Sequence, residues 1–154
     1  FDAAYVFNKA LQFNHQASIV KGFDKIQEEA LINMPPVNTT NEIVYYSSKI
    51  KNLRLALQSE YVFRQNEFPN NDFPIYIPET ETQEIVEVSS PPPAYHLLNF
   101  NSSIAFGFSE KSTLTVGFQI TNMFNVSYRN YLNRMRFFAD DLGRNVSVNI
   151  KLNY

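Results

Sequence analysis

Hydrophobic and polar residues alternate in seven separate stretches of the chain. The clearest is the last, NVSVNIKLNY, in which every second residue from Val146 to Tyr154 is apolar or aromatic and the others are polar. Strict alternation over such a length predicts a β-strand with one apolar and one polar side. The other six stretches lie at residues 1–8, 12–23, 40–48, 53–65, 98–108 and 113–121. The pattern therefore predicts an all-β chain.

Two of these stretches leave part of the pattern open. In residues 12–23, His15 and Lys21 fall on the otherwise apolar side. In residues 40–48, the alternation does not indicate which side is apolar. The fourth stretch is clean, and the apolar side of the fifth is predicted to run from Leu98 to Phe108.

The lengths of the strands and loops predict an up-and-down antiparallel sheet. Each stretch runs for about 9–13 residues, whereas strands of soluble proteins commonly have about 5–6. A tilted strand needs roughly 9–11 residues to cross a bilayer. Short turns alternate strictly with long loops, as in outer-membrane barrels. The turns are predicted at 8–11, 49–52 and 110–112, and the loops at 24–38, 66–94 and 125–144.

The alternation alone is compatible with two kinds of protein. In a membrane barrel the apolar sides face lipid, whereas in a soluble β-sandwich they pack together in a core. Aromatic residues favour the membrane barrel, because bilayer interfaces enrich Tyr and Trp at both ends of an apolar band. They cluster near the short turns (Tyr5, Phe7, Tyr45, Tyr46, Tyr154) and near the long loops (Phe23, Tyr61, Phe63, Tyr95, Phe124).

The number of strands indicates a part of a larger barrel. Counting back from Tyr154 at the short-turn end places Phe1 at the long-loop end, whereas a bacterial barrel normally has an even strand number. We therefore expect residues 1–154 to form the C-terminal arc of the barrel, without further domains. The alternative is a small complete eight-stranded barrel with a missed strand and an adhesion or structural role. A hairpin of PIYI and EIVEV within residues 66–94 would leave the parity unchanged.

Composition excludes several function classes. The formal charge of −2 gives no support to nucleic-acid binding, and the absence of Cys excludes disulfides and thiolate metal sites. No apolar run approaches the roughly 18 residues of a membrane helix. The first residues, FDAAYVFNKA, lack the pattern of a signal peptide. We therefore expect that the mature chain starts here or that its N-terminus has been removed.

Short motifs stand at the ends of the last two predicted strands. The sixth is followed by NMFNVSY, with Asn122, Asn125 and Tyr128, and GRN at 143–145 leads into the seventh, which ends on Tyr154. These motifs resemble the end of the barrel of TonB-dependent outer-membrane receptors. INMPPVNTTNEIVYYS and EYVFRQNEFPNN are similar to further segments of that family, with a phenylalanine where glycine is common. The Asn-rich, Lys-containing composition resembles that of Bacteroidetes receptors.

The resemblance implies a fold, a location and partners. Such receptors have a 22-stranded barrel in the bacterial outer membrane and an N-terminal plug that the TonB–ExbB–ExbD system engages. They import a scarce nutrient, with a siderophore, haem or another metal chelate as first expectation and cobalamin or oligosaccharide also open. The expected partners are therefore this system, lipid, lipopolysaccharide, the nutrient and the barrel-assembly machinery. The assembly signal would consist of Val148, Ile150, Leu152 and Tyr154.

The last long loop combines arginines with aromatic residues. Arg134, Arg136, Tyr131 and Phe137 are the predicted ligand-binding residues, because arginine beside aromatic rings suits an anionic, catecholate-rich or haem-like ligand. The alternative is that Arg134 and Arg136 pair with Asp140, with Asp141 or with lipopolysaccharide phosphates. The acidic loop at 67–87 would attract cations or would only be solvated.

Nothing in the sequence predicts catalysis or a cofactor. His15 and His96 are the only histidines, and they lack the spacing of a metal site. The adjacent Asp140 and Asp141 would face opposite ways in a strand, and no nucleophile motif is present. We therefore expect no enzyme and no bound cofactor.

Overall fold

The computed structural model describes residues 1–47, 49–50, 52–107 and 112–154. Within them the chain forms eleven strands and one short 3₁₀ helix, Arg134–Phe137. No helix in the described residues is long and apolar enough to cross a membrane. The strands are β1 (Asp2–Asn8), β2 (Leu11–Ser18), β3 (Phe23–Asp24), β4 (Glu29–Ala30), β5 (Asn38–Tyr46), β6 (Leu53–Val62), β7 (Phe73–Ile77), β8 (Thr82–Val86), β9 (Tyr95–Gly107), β10 (Thr113–Thr121) and β11 (Asn145–Asn153).

Seven strands form one antiparallel sheet in chain order, β1-β2-β5-β6-β9-β10-β11. This confirms the predicted all-β, up-and-down antiparallel architecture. The three long connections leave the same end of the sheet, and we call them the first loop (19–37), the second loop (63–94) and the last loop (122–144). The first loop carries the hairpin β3–β4, and the second carries β7–β8.

The register of the sheet places the predicted apolar sides on a single face, the apolar face. Phe13 pairs with Ile43, Ile43 with Leu57, Leu57 with Phe100, and this row continues through Ile120 to Val146. Ile43 and Tyr45 therefore lie on the apolar face of β5, which answers the question that its sequence left open. Phe108, which was predicted to lie on this face at the end of the fifth stretch (β9), lies outside the described residues.

The apolar face is exposed and does not form a core. Leu57 is 41% exposed, Ile43 49% and Ile150 71%, although these side chains are wholly apolar. The buried residues Val44 and Ala56 lie instead on the opposite, polar face. Such a distribution excludes the soluble sandwich, whose apolar sides would be packed together. It is the distribution expected for a sheet that faces lipid.

The polar face carries a network of hydrogen-bonded side chains. Arg54 Nη2 lies 3.0 Å from Glu42 Oε1, and Asn14 Nδ2 donates to the other oxygen of Glu42 at 2.9 Å. Nearby, Asn99 Nδ2 donates to Gln58 Oε1 at 3.0 Å. These contacts satisfy polar groups across four strands, as expected for a face that meets water or other polar protein surface.

The structure corrects the extent of several predicted strands. The second stretch was predicted to reach Phe23, but β2 ends at Ser18 and Phe23 belongs to β3. Ser18 pairs with Asn38, the first residue of β5. Pro36 lies two residues before Asn38 and has no N–H to continue the ladder. The fourth predicted stretch corresponds to β6, which ends at Val62 and not at residue 65. The proposed hairpin of PIYI and EIVEV is present as β7–β8.

Candidate functional site

Asn122 fixes the start of the last loop. It has a positive φ of 50° and is only 2% exposed. Its side chain binds both backbone groups of Val126, since Nδ2 donates to the carbonyl oxygen and Oδ1 accepts from the N–H, each at 2.8 Å. Its own N–H donates to Asn99 Oδ1 on the polar face at 2.9 Å. The loop is thereby attached to the sheet where β10 ends.

Asn125 joins the two ends of the last loop. Its backbone has a φ of 54°, and its Oδ1 accepts the N–H of Arg144 at 2.8 Å. A Cβ atom on Gly143 would lie 2.6 Å from the same oxygen, so a larger residue there would have to displace the Asn125 side chain. The two motifs read from the sequence therefore meet in space and close the base of the loop.

Tyr128 packs the loop against the polar face. Its ring centroid lies 4.5 Å from that of Tyr95, beside the buried Val62 and Leu97. Burial raises the pKa of the Tyr128 hydroxyl above its usual value, and the negative charges of Asp141 and Glu60 act in the same direction. The phenol therefore stays neutral and acts as a hydrophobic anchor with a polar end.

The two aspartates of the last loop bind partners within the loop. Asp140 accepts from Arg129 Nε at 2.6 Å and from the Ser127 hydroxyl. Asp141 accepts from the Asn130 N–H at 2.6 Å and from Asn133 Nδ2 at 2.8 Å. The expectation that Asp140 or Asp141 pairs with Arg134 or Arg136 is therefore wrong. The loop uses a different arginine for its salt bridge and leaves these two for other contacts.

Arg136 is clamped between two aromatic rings. Its guanidinium carbon lies 4.4 Å from the ring centroid of Tyr131 and 4.6 Å from that of Phe137. Nη1 donates to the carbonyl oxygen of Tyr131, and the Arg136 carbonyl accepts from Arg129 Nη1 at 3.0 Å. Nε is buried and has no hydrogen-bond partner in the described part of the chain. These contacts hold a cation in a fixed orientation.

All four predicted ligand-binding residues line one cavity, which we call the loop pocket. It has a volume of about 280 Å³ and lies where the three long loops meet. Its lining includes two arginines and no acidic residue. The residues that line it are Ile32 and Asn33 of the first loop, Pro69, Asn71, Val88 and Ser89 of the second, and Tyr131, Leu132, Arg134, Arg136 and Phe137 of the last.

A side-chain network fixes the part of the second loop that lines the pocket. Asp72 Oδ1 accepts the N–H groups of Val88 and Ser89, both at 2.8 Å, and Ser89 Oγ accepts the Asn71 N–H at 2.6 Å. The Ser89 and Val88 hydrogen bonds hold the pKa of Asp72 below its usual value. These pocket residues were not predicted, because loop residues far apart in sequence give no local signal of their proximity.

The other residues considered in the sequence do not assemble into a reactive centre. His15 Nδ1 lies 2.8 Å from Asn41 Oδ1, and His96 Nε2 lies 2.8 Å from the Ser59 hydroxyl. In the described ranges, His and acidic side chains form no cluster of three that could hold a metal ion. Both histidines thus make hydrogen bonds on the apolar face of the sheet.

The four residues of the expected assembly signal lie at the C-terminal edge of the sheet. Val148, Ile150 and Leu152 share the apolar face of β11 and pair with Phe118, Val116 and Leu114 of β10. Tyr154 follows the strand and is 98% exposed. Whether the assembly machinery reads them stays a prediction.

The fold of the chain resembles part of one solved structure of known function. No protein-family model matches it, and no curated protein matches it in sequence. Among solved structures it matches the copper transporter OprC, with a TM-score of 0.73 and 14% sequence identity over 99% of this chain. The match covers 23% of OprC, so the chain spans less than a quarter of that protein's length. At this identity the likeness establishes the fold.

Proposed function

We propose that the chain is part of a TonB-dependent outer-membrane receptor that imports a metal complex. The observation that carries the proposal is the single sheet with an exposed apolar face and long loops at one end, which shares its fold with a copper transporter. An exposed face of Leu, Ile, Val and Phe is stable in hydrocarbon and unstable in water.

Each part of the structure has a role in this proposal. The sheet would be seven strands of a 22-stranded barrel, with lipid and lipopolysaccharide on the apolar face and a plug and the transport path on the polar face. The long loops would meet the nutrient outside the cell, and β11 with Tyr154 would carry the assembly signal. TonB, ExbB and ExbD would act through a plug outside residues 1–154. A siderophore, haem or another metal chelate, including a copper complex, is the proposed cargo.

Uptake by intact cells tests the proposal. The complete gene is deleted and restored, and accumulation of radioactive iron and copper is measured with candidate chelators in cells with and without TonB. We expect the deletion to abolish uptake of one metal complex and the loss of TonB to have the same effect. Unchanged uptake of every metal complex after deletion, or full uptake without TonB, would refute the proposed function.

A further inference from the structure

We infer that the loop pocket binds a planar oxyanion, a catecholate or an aromatic carboxylate, at one end of a metal complex. The inference rests on the proposed function for the metal complex, and on the geometry of the pocket for the anion. It assigns to Arg136 and Arg134 the contacts with the anionic group, and to Phe137 and Tyr131 the contacts with its ring.

The charge of the pocket favours an anion over a metal cation. Its lining has Arg134 and Arg136 and no acidic residue, although residues 66–94 of the neighbouring loop contain six acidic residues and no basic one. Asp140 and Asp141, the nearest carboxylates in sequence, are occupied by Arg129, Ser127, Asn130 and Asn133. The positive charge of the two pocket arginines is therefore left for a ligand.

Arg136 is preorganised to receive the anion. The two rings and the Tyr131 carbonyl fix its guanidinium, so little side-chain entropy remains to be lost on binding. Nη1 is used in this clamp and Nε is buried without a partner, whereas Nη2 is neither hydrogen-bonded nor buried in the described residues. A planar guanidinium with a free edge matches a planar oxyanion, which it can bind with charge-assisted hydrogen bonds.

The size and walls of the pocket limit what enters. About 280 Å³ is at the lower limit of small-molecule sites, so the pocket accommodates one planar arm while the rest of the complex remains outside. Ile32, Val88 and Phe137 supply apolar and aromatic wall on three loops. A ring can pack against these side chains, while a compact hydrated metal ion would gain nothing from them.

Binding to the purified complete protein in detergent micelles tests the inference. The probes are the anionic ferric tris-catecholate complex and an uncharged ferric tris-hydroxamate complex, and affinity is measured by quenching of intrinsic fluorescence. We expect the wild type to prefer the anionic complex and Arg136→Gln to weaken its binding about tenfold to a hundredfold. Arg134→Gln, which disturbs no protein hydrogen bond in the described residues, should weaken it about threefold to tenfold.

The control variant is Arg144→Gln, which removes the same charge from the same loop outside the pocket. Its affinity should equal that of the wild type. Arg136→Lys keeps the charge but loses the planar fork, so it should recover only part of the loss. No binding of the anionic complex by the wild type, or equal effects of Arg134→Gln and Arg144→Gln, would overturn the inference.

Lipopolysaccharide phosphates are another source of oxyanions at this surface, and competition separates them from the chelate. Purified lipopolysaccharide should leave binding of the tris-catecholate complex unchanged. Displacement of the complex by lipopolysaccharide in the wild type but not in Arg136→Gln would contradict the inference. If the purified protein binds the tris-catecholate complex but cells do not take up any metal complex through it, the result counts against the proposed function alone. If cells take up a metal complex but Arg134→Gln and Arg136→Gln leave the affinity for the tris-catecholate complex unchanged, the result counts against the inference alone.

Discussion

At the scale of single residues, two asparagines explain why the last loop has a defined structure. Asn122 and Asn125 both adopt positive φ, which asparagine tolerates better than most residues other than glycine. Each also supplies an amide oxygen that accepts a backbone N–H, from Val126 and Arg144 respectively. The spacing of the NMFN motif is therefore a structural requirement of the loop base, and the ligand-facing residues begin only further along the loop.

Protonation of Asp140 in acid should weaken the structure of the last loop. Hydrogen bonds from Ser127 and Arg129 hold the pKa of Asp140 below its usual value of 3.8. A carboxylate with a lowered pKa stabilises the folded loop above its ordinary pKa and loses this contribution as the pH falls through the lower, folded-state value. We therefore expect residues 126–142 of the complete protein to become accessible to pepsin, an acid protease, only toward the lower end of a titration from pH about 5 to about 2.

The control for this titration is Asp140→Asn. The amide keeps the shape of the side chain but has no charge to lose, so its loop should be partly accessible already at pH about 5 and should change less on acidification. A wild-type loop that opens with the same pH profile as the Asp140→Asn loop would contradict the role of this carboxylate.

At the scale of elements, the strands were predictable where alternation was strict and less so elsewhere. The apolar sides of β6, β9 and β10 follow directly from sequence, because a period of two determines which residues share a face. The facing of β5 was not predictable, since Ile43 and Val44 are adjacent and both apolar. Only the pairing with β2 and β6 shows that Val44 is the buried one.

The loop pocket shows which residues of a site a sequence pattern can identify and which it cannot. Arg134, Arg136, Tyr131 and Phe137 were identifiable because arginines and aromatic residues are close together within one loop. The contributions of the first and second loops were not, because these residues are distant in sequence from the last loop. In the second loop they also depend on the hydrogen bonds of Asp72 at the base of hairpin β7–β8. The partner of Asp140 was also missed, because the last loop contains four arginines and the sequence does not show which of them lies beside Asp140.

The pair of His15 and Asn41 is the clearest polar contact on the apolar face. The two residues lie opposite each other on β2 and β5, and their side chains are joined at 2.8 Å. Replacing one partner leaves the other without a hydrogen bond in lipid, so His15→Leu should cost about 1–3 kcal/mol of unfolding free energy. The double variant His15→Leu/Asn41→Leu should recover most of this loss, because neither polar group remains.

Urea unfolding of the complete protein in lipid vesicles measures the unfolding free energies of these variants. The single variant Asn41→Leu completes the cycle and gives the coupling energy of the two side chains. A double variant that is less stable than either single variant would show that water, and not lipid, surrounds this pair.

At the level of the complete protein, the proposed function requires more strands than the seven of this sheet. Its apolar face has no protein covering in the described residues, and both β1 and β11 have one unpaired edge within the seven-stranded order. In lipid every backbone N–H and C=O needs a partner within the protein, so an open edge there is prohibitive. On the proposed function, further strands would lie between β11 and β1 and close the barrel, with the apolar face toward lipid.

The assignment of the two faces is tested by one charge placed on either side of β10. Val116 lies near the middle of the strand on the apolar face, between Ile104 and Ile150, and Gln119 lies on the polar face between Asn101 and Ser147. Val116→Arg should cost about 2–4 kcal/mol of unfolding free energy, because a cation near the middle of the bilayer is poorly solvated. Gln119→Arg should change it by less than about 1 kcal/mol, since its neighbours are uncharged and polar. Unfolding of the complete protein in lipid vesicles measures both values, and Val116→Thr serves as the control for lost packing. Equal costs for the two arginine variants would mean that the apolar face does not meet hydrocarbon.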